Sequence, residues 1–180
     1  MNNMLKAMAG LALLMGVTLS PATAQAQTWP QSWQCAPFAR MFSGIELFGN
    51  AASWWDKAVG KYVRGNTPEI GSVLVFKAFK SMRVGHVATV SEVISSRVIK
   101  VTHANWSVIN GRRGQVEKDV TVVDTSEKGD WSKVKVWYAA LNDVGQTAYP
   151  VYGFIYKDGA PNASAAGDQP VALNLPAFHS

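Results

Sequence analysis

Gly85-His86-Val87-Ala88-Thr89-Val90-Ser91-Glu92-Val93-Ile94-Ser95-Ser96-Arg97-Val98-Ile99-Lys100-Val101-Thr102-His103-Ala104-Asn105-Trp106 is the stretch whose reading decides the fold. Two runs rich in β-branched residues flank Ser95-Ser96, the pattern of a β-hairpin. A turn centred between the two serines pairs Val90 with Val101, Ala88 with His103, and His86 with Asn105. Those six side chains share one face, and it is the apolar one, because Thr89, Ser91, Lys100 and Thr102 fall on the other. Directly opposed Cβ atoms in such a pair lie roughly 4.5–5.5 Å apart. Asn105 and His103 are therefore expected within reach of the His86 ring, and a histidine with a fixed hydrogen-bond partner is a general base. Glu92 shares the face but sits roughly 20 Å further along the strand at the usual rise, too far to help.

Outward from the hairpin, Ser72 to Phe76, Gln115 to Val123 and Lys133 to Tyr138 read as further strands, and Val151 to Tyr156 as a last strand or a plug. The segment before Gly71 reads as helical. One helix is expected from about Cys35, capped by Ser32 and ending near Gly44; a second runs from Ala51 to Val59 between an Asn50 cap and a Gly60 stop. Trp54 and Trp55 are about 100° apart on that helix, so one faces the core and the other the rim. Helices first and a meander afterwards, with connections too short for helical crossovers, imply an α+β domain with an antiparallel sheet.

Ser32-Trp33-Gln34-Cys35-Ala36-Pro37-Phe38 holds the one cysteine among 180 residues. Helix-start N–H groups and the positive end of the helix dipole favour thiolate over thiol, which turns a weak nucleophile into a usable one. A small buried structural cysteine fits the local pattern equally well.

Lys6 followed by an apolar run from Ala9 to Leu19 and small-x-small sites at Ala22 to Ala26 is the pattern of a secretory signal peptide, with cleavage expected after Ala26. The chain is thus read as exported, to the periplasm or the extracellular cell wall, with no membrane span. Residues 27–157 are expected to form one domain, and residues 158–180, rich in Ala, Gly, Asn and Pro, a weakly ordered tail. The formal charge of +5 is scattered, without the dense basic run of a nucleic-acid arm, and no nucleic-acid partner is expected. Cys35, His86 and His103 match no compact zinc motif, so neither metal nor organic cofactor is expected.

Cys35 opening a helix, the Pro68 to Phe76 stretch, Gly85-His86-Val87-Ala88-Thr89-Val90 and His103-x-Asn105 together resemble the CHAP domain, the cysteine, histidine-dependent amidohydrolases and peptidases. The resemblance covers about residues 27–138. It implies a papain-like α+β fold, short N-terminal helices packed on an antiparallel β-sheet, and cleavage of amide bonds in peptidoglycan by an N-acetylmuramoyl-L-alanine amidase or an endopeptidase. By the same resemblance Cys35 is the nucleophile, His86 the base, and Asn105 a polar group that orients the histidine or binds the oxyanion. Many members carry a glutamate where this chain has His103, and a neutral imidazole cannot neutralise an imidazolium as a carboxylate would. A catalytically silent wall-binding or scaffolding module is the alternative expectation, and a toxin of the same chemistry a third. Trp106, Arg112 and Arg113 are candidates to line a substrate groove. Peptidoglycan is the expected partner, and the chain is read as a monomer.

Overall fold

The computed structural model describes residues 32–159. The expected signal peptide and all but the first two residues of the expected tail lie outside them. Helix α1 spans Cys35–Ser43; a 3-10 turn, Ala51–Ser53, runs directly into α2, Trp54–Lys57. Eight strands follow: β1 Val63–Gly65, β2 Val73–Phe76, β3 His86–Ser95, β4 Val98–Ala104, β5 Val116–Asp124, β6 Lys133–Tyr138, β7 Asp143–Val144 and β8 Tyr149–Tyr156.

The sheet closes on itself. Strand β8 pairs with β2 on one side and with β6 through Lys133↔Pro150 and Val134↔Tyr149 on the other, completing the ring β8-β2-β3-β4-β5-β6, all antiparallel. This corrects the expected papain-like α+β architecture: the described residues form mostly a closed antiparallel β-barrel with two short helices, of nine and four residues, rather than a helical layer on an open sheet. The cause is the long-range pairing of β8, a segment whose local pattern distinguishes a strand from a plug poorly. Short β1 and β7, which no hydrophobic run announces, extend the ring at β8 and β6.

Closure gives every strand an inner and an outer face. Leu74, Phe76, Ala88, Val90, Val101, Val122 and Phe154 fill the interior, while Val73, Val75, Val87 and Ile155 point outward beneath α1 and α2. All four residues of β2 are therefore buried, which is why that strand reads as a continuous apolar run rather than an alternation. The helices differ from expectation in detail. Gly44 ends α1 in the left-handed conformation as expected, but the N-cap is Gln34 rather than Ser32 and makes no side-chain cap hydrogen bond. Trp54 is buried and Trp55 stacks on Tyr152 at 5.7 Å, the expected core-and-rim division.

The hairpin register agrees with expectation at Val90↔Val101 and Thr89↔Thr102, then slips at two bulges so that Glu92 meets Lys100 and Ser95 meets Val98. Gly85 fixes where β3 begins. Its φ is +71°, and a Cβ there would lie 2.6 Å from the Phe76 carbonyl and 2.7 Å from Ala52 Cβ, on a chain already tied by Ala52 N–H donating to Val84 O. Gly85→Ala should cost roughly 2 kcal/mol or more by combining left-handed strain with overpacking; an unchanged urea midpoint would show that this contact has slack.

Candidate active site

The start of α1 is held by the loop between β4 and β5. Trp33 N–H donates to Gly114 O at 2.8 Å, and the Asn105 amide Nδ2 donates to Gln34 Oε1 at 2.8 Å. Asn105 itself is left-handed at φ 65° with its N–H on Gln115 O, so it has left the strand before its side chain could turn to His86. Gly114, at φ 109°, leaves room for Ser32, whose side chain would collide with any Cβ there. Phe38, fully buried between Trp33 and Phe42, anchors the helix from beneath. These contacts locate Cys35 at the first residue of α1, partly exposed, on the outer face of β3.

The Cys35 thiol lies against backbone N–H groups, those of Val87, Ala36 and Cys35 itself. These favour the thiolate, as expected at a helix start, but burial outweighs them and raises the thiol from its ordinary 9.0. The expected depression is thus corrected: at rest Cys35 is a thiol.

His86, first residue of β3, turns into the barrel mouth. Its Nε2 lies 3.0 Å from His103 Nδ1, so the structure brings His103, not Asn105, to the His86 ring. Phe76, Trp106 and Tyr149 enclose the pair: His86 sits 4.9 Å from the Trp106 ring, His103 stacks on it at 5.6 Å, and Tyr149 closes over it at 5.0 Å. Burial, then His103, then Arg113, hold His86 well below its ordinary 6.5, and burial brings His103 down to about 3. Both rings are neutral at neutral pH. One therefore donates and the other accepts, and a tautomer with His86 Nε2–H donating leaves His86 Nδ1 as a free base.

Trp106 is only 7% exposed and donates Nε1–H to Trp137 O, so it walls the histidine chamber from inside. Arg112 is exposed on the β4–β5 loop, and Arg113 donates to Trp106 O. Glu92 forms a surface ion pair with Lys100 at 2.9 Å, away from the site. Two site residues escaped the sequence. Gln34 shows no pattern of its own. Glu117 does: it stands on β5 as the registered partner of His103, an acid in an inward position, and the β4–β5 pairing was the signal that locates it.

A thiol at a helix start, set against the N–H of Val87, and a buried histidine pair that includes the preceding residue, His86, together form a candidate cysteine–histidine site on a small β-barrel. The model of the CHAP domain family matches residues 26–105, the segment that holds Cys35, His86, His103 and Asn105. No curated protein matches the chain. The family places it, at a coarse level, among cysteine- and histidine-dependent amide hydrolases, with peptidoglycan as the implied substrate class. Among the described residues no helix is long and apolar enough to cross a membrane.

Two measurements test the neutral site. Alkylation of Cys35 should rise with pH to a midpoint above 9.0, whereas a midpoint in the acid range would mean a preformed thiolate. Stability should also depend on pH. Both histidines have folded values below 6.5, so the unfolded chain binds more protons as pH falls through 6.5 towards 3, and stability present above 6.5 is lost over that window. The urea midpoint should drop between pH 7.5 and 5; a flat profile would contradict neutral burial of the pair.

Proposed function

We propose that the chain is an exported cysteine-nucleophile hydrolase that cuts amide bonds in peptidoglycan, as an N-acetylmuramoyl-L-alanine amidase or an endopeptidase. The carrying observation is the Cys35 thiol at the first residue of α1, against the N–H of Val87, the residue that follows His86, within the segment that matches the CHAP family. Residues 27–157 form its catalytic domain, and residues 1–26 direct it out of the cytoplasm.

With His86 Nε2 engaged by His103, Nδ1 is the nitrogen left to take the thiol proton as sulfur attacks the amide carbonyl. Backbone N–H groups around the start of α1 hold the developing oxyanion. His86 returns its proton to the leaving amine as the C–N bond breaks, leaving a thioester. Water then adds with His86 as base, releasing the carboxylic acid and the thiol. Since thiol and imidazole are neutral at rest, charge separates only during attack, as in hydroxyl-nucleophile enzymes. Arg112, exposed beside the site, is a candidate contact for the substrate.

A second reading, a silent wall-binding module, is favoured by one observation: burial keeps the Cys35 thiol protonated. Digestion of purified peptidoglycan by residues 27–180 separates the two. The wild type should release free stem peptides if an amidase, or split cross-links if an endopeptidase, and Cys35→Ala should abolish either product; wall binding without any cleavage would establish the silent module.

A further inference from the structure

The histidine pair does not end at His103. His103 Nε2 is buried and has no hydrogen-bond partner, and so is Glu117 Oε2. The two residues are registered Cα partners on β4 and β5, both at inward positions, with His103 1% and Glu117 6% exposed. Directly opposed side chains start roughly 4.5–5.5 Å apart at Cβ, within reach of each other or of one bridging water. Their needs are complementary: a carboxylate only accepts, and His103 can offer Nε2–H. Glu117 is otherwise half satisfied, its Oε1 accepting Ser107 N–H at 2.7 Å. Leaving a buried carboxylate oxygen and a buried ring nitrogen both unpaired costs far more than joining them.

We propose that Glu117 is a positioning residue that fixes the tautomers of both histidines, by accepting a hydrogen bond from His103 Nε2–H. His103 Nδ1 is then an acceptor, His86 must donate Nε2–H to it, and His86 Nδ1 is left as a lone pair, the one nitrogen of the pair free to accept a proton. The acid that many family members carry at position 103 is in this chain displaced one strand outward, with His103 as the link. Besides Glu117, the charged group that acts on the pair is Arg113 on the β4–β5 loop. The inference deepens the proposed hydrolase and rests on that chemistry for its consequence, though not for its test.

The test reads tautomers directly, in full-length mature protein labelled with 15N at histidine. In the wild type His103 should be protonated at Nε2 and His86 at Nε2; His103 protonated at Nδ1 overturns the proposal, and this measurement needs no variant to fold. Glu117→Gln keeps an acceptor for Ser107 N–H but turns an amide NH2 toward His103, which should invert both tautomers. Alkylation of Cys35 at pH 7 should then slow about tenfold, the size of one pK unit at the base, and Glu117→Asp should restore part of it. Unchanged tautomers and alkylation in a folded Glu117→Gln protein also overturn the proposal. Correct tautomers with no peptidoglycan cleavage would instead sink the hydrolase and leave the Glu117 assignment standing.

Discussion

Strand β8 is the constraint on which the rest depends. It is bonded to β1, β2 and β6, and by joining the last two it converts a meander into a ring. A closed ring has an interior that must be filled by side chains to near-crystalline density. Gly153 lets β8 do this: at φ 137°, a Cβ there would lie 2.5 Å from Gly65 O and 3.0 Å from Trp55, so neither β1 nor α2 could approach. The bulge beside it shifts Phe76 onto Val151. That keeps Phe76 in the interior beside His86, where it forms one wall of the histidine chamber. Closure, then, is what removes both histidines from water.

Removal from water sets the chemistry. In an open-faced sheet the pair would titrate near 6.5, and a thiolate–imidazolium pair would be affordable in solvent. Inside the barrel the charged form of either ring must be desolvated, and Arg113 adds like charge, so neutrality wins. The same burial outweighs three backbone N–H groups at Cys35. Helix-start stabilisation is typically below about 1 kcal/mol when exposed, whereas desolvation of a buried ion costs several. The outcome follows from those magnitudes: a protonated thiol and a neutral base.

The sequence made much of this legible through local patterns. The strand runs from Val73 to Tyr138, the α1 stop at Gly44, the Trp54/Trp55 division and the pairing of Val90 with Val101 all follow from periodicity and turn chemistry within short windows. Closure was not legible, because Tyr149–Tyr156 pairs with residues roughly 15 to 90 positions away and nothing in its own composition names those partners. The role of Asn105 was missed for a related reason. Its place opposite His86 assumes that β4 stays extended, but the strand ends at Ala104 and a left-handed residue swings the amide to Gln34. Glu117 escaped because facing residues were sought within one hairpin, while the acid comes from the next strand across.

Substitution of an acid by His103 need not be a loss. A carboxylate at that position would sit 1% exposed among Trp106, His86 and the barrel interior, and its ionised form would demand hydrogen bonds that aromatic walls do not provide. An imidazole is neutral there, passes a hydrogen bond from one nitrogen to the other, and stacks on Trp106 without penalty. Distance from His86 is then traded against solvation: the acid stands on β5, where Ser107 N–H already donates to one oxygen, and only the orientation of a proton needs to travel back. A relay of two neutral rings transmits tautomer rather than charge. That suits a site whose thiol and base are both uncharged until substrate arrives.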